Sequence, residues 1–484
     1  MKYGKVRKRT VTWAILKVFL LKGMPMIETV LALAAMLYLA LQIEDKLAIP
    51  VPLSLIALAF LLNHLFPEIT RFTPDPQWFA ALVLTLLPIL LISDALELSV
   101  AELKRHAWSL FYLAVVAVVL SVVAGLWLRD FLFGEYHLGV AATVLLFAMV
   151  LATDPVSVVS VFSRFEIPHR LKILAEGESL FNDATALIVF VYIGLHLLQG
   201  GKLTLGYVTE ISLVVGLGSV ALGLVFGLIG LGLLKTTENR IAEMMVLLMT
   251  GYAAFDLAEH FYTLLNLLGG HSHLHLSGIL ACIVATVTVH HWMSREEREE
   301  ERQIEAQQAL IERPGATRGL IDTALNALRV TLEERVRHLR NKEDIQLLGL
   351  VSNTILFVAM AELIELELLA RYWHEILVMF VATTVIRALM MAKFAWLTRQ
   401  TRRMTDVNLR WWGVLTFAGI KGGLSIVMLS MIPREFPFLD LFKAVVIGVV
   451  LLSTFLYSLI LLALISRNAA VFRQELAAER RDSM

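Results

Sequence analysis

Cysteine is almost missing from this 484-residue chain. The one present, Cys282, lies in an apolar run, which excludes an intrachain disulfide and a cysteine-based zinc centre. Charge is scarce too: Asp, Glu, Lys and Arg make up 17% of the residues and cancel to a formal net charge of zero, so nothing in the balance argues for nucleic acid or an acidic partner. There is no H-E-x-x-H and no serine in a G-x-S-x-G elbow, so the familiar constellations of an enzyme are absent and none is expected here. What remains is hydrophobic, 58% of the residues, with a mean hydropathy of +0.73. Such a chain reads as an all-α polytopic membrane protein in contact with the lipid bilayer.

Windows of about 17–25 mostly apolar residues fall at 26–42, 50–66, 79–98, 107–128, 138–163, 174–199, 205–234, 240–267, 275–292, 345–370, 373–398, 410–432 and 439–466. They predict about thirteen transmembrane helices. The loops with Lys104 and Arg105, with Arg164, Arg170 and Lys172, with Lys235 and Arg240, and with Arg399, Arg402, Arg403 and Arg410 share one side with segment 294–343, and the excess of Lys and Arg makes that side cytoplasmic. The short tail 467–484 follows as cytoplasmic, in a multi-pass protein of the cell's inner membrane. The N-terminal segment 1–25 is basic, with Lys2, Lys5, Arg7, Lys8 and Arg9, a cytoplasmic signature that an odd number of crossings contradicts. Its run Val11 to Leu21 is short for a span and carries Lys17, so it either lies at the interface or joins an additional crossing. The membrane domain divides into 26–293 and 344–466, separated by a charged insertion, 294–343. In the insertion Arg295–Arg302 mixes signs at helical spacing, Pro314-Gly315 interrupts it, and Leu320, Leu325, Leu328, Leu332 and Leu339 mark an amphipathic second helix, the pattern of a solvated hairpin.

Two carboxylate clusters interrupt the apolar background: Thr153-Asp154-Pro155, and Glu178 with Ser179, Asn182 and Asp183 in the next segment. An ionisable group at membrane depth is costly unless it pairs or binds something, so it marks an ion or proton path by default. Pro155 has no N–H and clashes with the carbonyl four residues back, so the helix through Phe147–Leu151 should break near Asp154 and release carbonyls around Leu151 and Thr153. Asp154 can then cap a new half-helix with Pro155 at its first position. The twelfth window carries its own breaker, Gly422-Gly423, and paired interruptions in two halves of a transporter point to the substrate site. His271, His273 and His275 alternate in an outward loop with no acidic or cysteine ligand nearby, the pattern of a solvated loop.

These residues carry a resemblance. Ala152-Thr153-Asp154-Pro155 followed by Leu174-Ala175-Glu176-Gly177-Glu178-Ser179-Leu180-Phe181-Asn182-Asp183 is similar to the signature of the monovalent cation:proton antiporters, in the branch of prokaryotic NhaP-like sodium/proton antiporters and animal sodium/proton exchangers. Ala258-Glu259, Leu276–Ala281, Arg387 and Gly419–Ser425 match in the same order. The resemblance implies two inverted-topology repeats, two interrupted crossing helices, a homodimer, and sodium (or lithium) exchanged for protons without a cofactor. A potassium/proton antiporter, or a cation channel, is the alternative. The proposed chemistry rests on Asp183: burial penalises its charged form, so a proton and a sodium ion compete for it. Ser179, Asp154 and the freed groups of Thr153 can complete an oxygen shell for sodium. In the resembling family Asn-Asp, here Asn182-Asp183, goes with electroneutral exchange, and Glu178 pairs with Arg387 as a structural ion pair. Lys421, where relatives usually carry arginine, can offset the carbonyl end of a half-helix.

Overall fold

The structure, a computed structural model, describes residues 25–47, 49–65, 76–98, 100–237, 239–267, 276–311, 318–401 and 403–482. Most of segment 1–25 and His271, His273 and His275 therefore lie outside the described residues, as does Pro314-Gly315. Long apolar runs leave the backbone no water to bond with, so each must satisfy its own N–H and C=O groups, and every element described is helical. In chain order the helices used below are α1 (Pro25–Leu47), α2 (Val51–Leu65), α3 (Pro76–Ala95), α4 (Val100–Tyr136), α5 (Val140–Leu151), α6 (Pro155–Phe162), α7 (His169–Leu198) and α8 (Leu205–Leu234). They continue with α9 (Arg240–Glu259), α10 (Gly278–Ile311), α11 (Arg318–Glu362), α12 (Trp373–Gln400), α13 (Leu409–Phe417), α14 (Gly423–Ser430) and α15 (Leu439–Glu479). Among the described residues, 8 helices are long and apolar enough to cross a membrane, and three shorter apolar helices, Val51–Leu65, Ala81–Ala95 and Gly278–Ser294, accompany them.

The helices sort into two bodies. In one, α2 and α3 pack on α11, and α10 packs on α8, α9 and α11. The α8–α10 seam is close because Gly223 and Gly227 face it: a Cβ at either would fall within 2.6–2.7 Å of Ala281 or Thr288. In the other body α7 packs on α4, α5 and α6, α12 packs on α4, α13 and α15, and α5 packs on α14 and α15. Apart from Thr143, whose hydroxyl donates to the Gly139 carbonyl at 3.1 Å, the helix α5 is apolar on every face, and Ala142 through Leu151 are all buried, as such a helix must be. The charged insertion continues the apolar helices on either side of it. With no Pro or Gly between Ile279 and Arg313, α10 runs unbroken out of its apolar part to Ile311, and α11 returns from Arg318 into the apolar stretch.

Candidate functional site

At Pro155 the missing N–H and the ring stop one helix and start another: α5 ends at Leu151, and Asp154 caps α6. The Asp154 carboxylate accepts the N–H groups of Val156 (3.3 Å) and Ser157 (3.2 Å) and the Ser157 hydroxyl, so its charge sits on the positive end of α6. The chain between the halves is extended, and its backbone groups turn to α7. The Thr153 N–H donates to Asp183 Oδ1 at 2.9 Å. Asn182 Nδ2 donates to the Leu151 carbonyl (2.9 Å) and to Thr153 Oγ1 (3.2 Å), and Ser179 Oγ donates to the same hydroxyl at 2.9 Å. Residues 179, 182 and 183 stand at i, i+3 and i+4, which puts all three on one face of α7, against the break. The five residues named in the sequence around this site are thus brought together, with Thr153 at their centre.

The second break meets the first. The Asp154 N–H donates to the Ile420 carbonyl at 2.7 Å, and a Cβ on Gly422 would lie 2.5 Å from Asp154 Cβ, so the backbones approach as only glycine allows. Lys421 is buried between the half-helices, and its N–H donates to Ser453 Oγ at 3.0 Å. Arg387 holds Glu178 through two bonds of 2.8 and 2.7 Å, with both side chains buried. It also donates to the carbonyls of Thr416 and Leu415, each at 2.9 Å. These carbonyls end α13, so the guanidinium fork serves a helix terminus as well as a carboxylate, a second role that sequence spacing did not reveal.

Between the two bodies lies a cavity of about 50 Å³ lined by Thr153, Asp154, Asp183 and Gly423 on one side and by Asp94 of α3 and Asn353 of α11 on the other. Sequence reasoning missed Asp94 and Asn353. A signal existed, since Asp94 interrupts the apolar window 79–98 much as Arg387 interrupts its own, but only the fold carries Asp94 to Asp183. Glu259 stands elsewhere: it accepts the Gly278 N–H at 3.0 Å at the start of α10 and borders a separate, mainly apolar cavity of about 240 Å³.

A family model described as sodium/hydrogen exchanger, transmembrane, matches residues 30–466. The chain belongs to the sodium/hydrogen exchanger family. Among relatives of this exchanger-family chain, the Na(+)/H(+) antiporter NhaG of Bacillus atrophaeus is 26% identical over 451 residues, 90% of this chain and 73% of that protein. The Na(+)/H(+) antiporter ApNhaP of Aphanothece halophytica is 24% identical over 395 residues, 79% of this chain and 63% of that protein. In fold, the chain is similar to the sodium proton antiporter MjNhaP1 from Methanocaldococcus jannaschii, solved at pH 8, with a TM-score of 0.64 at 16% identity, covering 94% of this chain and 99% of that one.

Proposed function

We propose that this exchanger-family protein is a secondary active antiporter that trades sodium, or lithium, for protons, with Asp183 as the group the two ions share. One observation carries the reading: Asp183 is 8% exposed, fixed through one oxygen by the Thr153 N–H, and set at the rim of a small cavity beside a broken helix. The nearby buried guanidinium of Arg387 is already committed to Glu178 and to two carbonyls. A carboxylate so placed is neutralised by a proton or by a cation, and occupancy by one excludes the other.

Sodium, a hard cation, takes oxygen ligands. Thr153, Ser179 and Asp154 supply them, and the Asn182 amide oxygen is buried and accepts no hydrogen bond, which leaves it available to an arriving ion or its water. Asp94 and Asn353 lie across the same cavity and guide the cation in. Lys421 offsets the carbonyl end of α13 by charge alone, beside the hydrogen bonds of Arg387. The two bodies exchange access to the cavity by moving against one another, within inverted repeats that cross at the two breaks. The protein works as a homodimer of about thirteen crossings per chain, with its C-terminus cytoplasmic.

With Asn182 neutral and one carboxylate titrating, each turn carries one proton or one monovalent cation, so the loaded site has the same charge in both directions. Proton flux in proteoliposomes, followed by a dye while sodium, lithium and potassium are added in turn, tests this. Sodium or lithium should drive flux, and clamping the membrane potential with potassium and valinomycin should leave the rate unchanged. Flux with potassium only overturns the sodium reading, and a rate that climbs steeply with voltage overturns electroneutrality.

A further inference from the structure

Two clusters of charge join the bodies at the Lys/Arg-rich end of the bundle. Glu97 lies three residues past Asp94, its N–H on the Asp94 carbonyl at 3.1 Å. Gln346 of α11 donates to one of its carboxylate oxygens, within the same body. The other oxygen lies 3.7 Å from the ammonium of Lys172 on α7, in the opposite body, and that ammonium is also 3.5 Å from Glu176. The second cluster links α1, which packs on α2 and α11, to α6 and the segment just after it. Glu44 accepts the Ser160 hydroxyl at 2.7 Å and stands 3.1 Å from Arg164 Nη2, which also donates to the Glu44 carbonyl at 2.9 Å.

Position gives these contacts their meaning. Glu176 precedes Asp183 by seven residues, two turns or about 10 Å of helix, and Glu97 follows Asp94 by one turn. The first cluster thus lies one to two helical turns from the cavity that holds Asp94, Asp154 and Asp183, toward the Lys/Arg-rich face. At the other end the bodies meet around the 240 Å³ cavity, whose walls include Leu84, Val191, Phe255 and Val427, with Glu259 among them. On the Lys/Arg-rich side of Asp183 the Lys172 ammonium lies between Glu97 and Glu176.

We propose that Glu97–Lys172–Glu176 and Glu44–Arg164 form the latch of a gate on the Lys/Arg-rich face, holding the bodies together over the cavity and parting when that side opens. Partly exposed ion pairs are individually weak, which suits a gate, because two of them bias an equilibrium by about tenfold without freezing it. The inference rests on the alternating-access reading above, yet its test needs no transport. In a Cys282→Ser background, Leu356→Cys places a thiol in the cavity wall, and the rate of its modification by a membrane-impermeant charged thiol reagent is measured from the Lys/Arg-rich face in vesicles of known orientation. Glu97→Gln with Glu44→Gln should raise that rate by about tenfold, and Glu97→Lys combined with Lys172→Glu should bring it back toward the parent value. If Glu97→Gln does not accumulate, Lys172→Gln breaks the same contact from the opposite body. An unchanged or slower rate in folded variants overturns the latch even where sodium-driven flux is intact. Faster labelling in a protein whose parent shows no cation-driven flux keeps the latch and sinks the antiport reading.

Discussion

At the first break, between Leu151 and Pro155, polar side chains take up the freed backbone: Asn182 the Leu151 carbonyl, Asp183 the Thr153 N–H, and Asp154 the start of α6. At the second, between Phe417 and Gly423, the helix start at Gly422 has no side-chain cap, and the carbonyls that end α13 are served from a distant helix by Arg387. The first break gathers polar side chains, the proposed ligand set, and the second leaves a space. Gly422 has φ −137°, which any residue adopts, so the demand there is for room beside Asp154 and not for an unusual conformation. The two interruptions can therefore divide the labour, one presenting oxygen atoms and the other letting the Ile420 carbonyl come within 2.7 Å of the Asp154 nitrogen, whose N–H it accepts.

The largest effect is expected at the first break, where the proposed shared carboxylate is removed. Asp183→Asn keeps an oxygen that accepts the Thr153 N–H, so the variant should fold and melt like the parent while losing sodium-driven proton flux altogether. Flux at parental rates, at parental expression, would remove Asp183 from the mechanism.

Next comes the support of the second break. Glu178→Gln or Arg387→Gln alone strands a buried charge, at a cost of about 3–5 kcal/mol, and Arg387→Gln also uncovers the α13 carbonyls. The double variant should recover part of the sum of the two losses in thermal unfolding. Strict additivity would mean that the pair contributes nothing as a pair.

The smallest effect sharpens the idea of the second break as a space. Gly422→Ala would put a methyl 2.5 Å from Asp154 Cβ, whereas at Gly423 the nearest neighbour of such a methyl, a Leu356 methyl, is 4.0 Å away. Gly422→Ala should cost about 1–3 kcal/mol of stability and slow exchange, while Gly423→Ala should be close to neutral on both measures. Equal behaviour of the two variants would show that close approach is not what the second break requires.

Sequence alone determined what is local. The apolar windows fix a helical membrane protein because an unpaired peptide group cannot sit in hydrocarbon. Pro155 fixes where α5 stops, because its ring and missing N–H act on the preceding turn. The i, i+3, i+4 spacing puts Ser179, Asn182 and Asp183 on one face before any neighbour is known. The arrangement among helices belonged to the tertiary structure. Asp94 and Asn353 reach the cavity from α3 and α11, roughly 90 and 170 positions from Asp183 in the chain, and no periodicity within a helix encodes which faces will meet. The same holds for Arg387, whose isolation in an apolar run marked it as needing an anion, although its donation to the α13 carbonyls depends on how α12 packs on α13. The charge pattern marked the insertion as a helical hairpin, and the unbroken run from Gly278 to Ile311 makes its first arm continuous with the apolar helix before it, because a change in which side chains a helix carries does not end the helix. Local sterics and solvation are written residue by residue along the chain; which helices become neighbours is set by the packing of all of them at once.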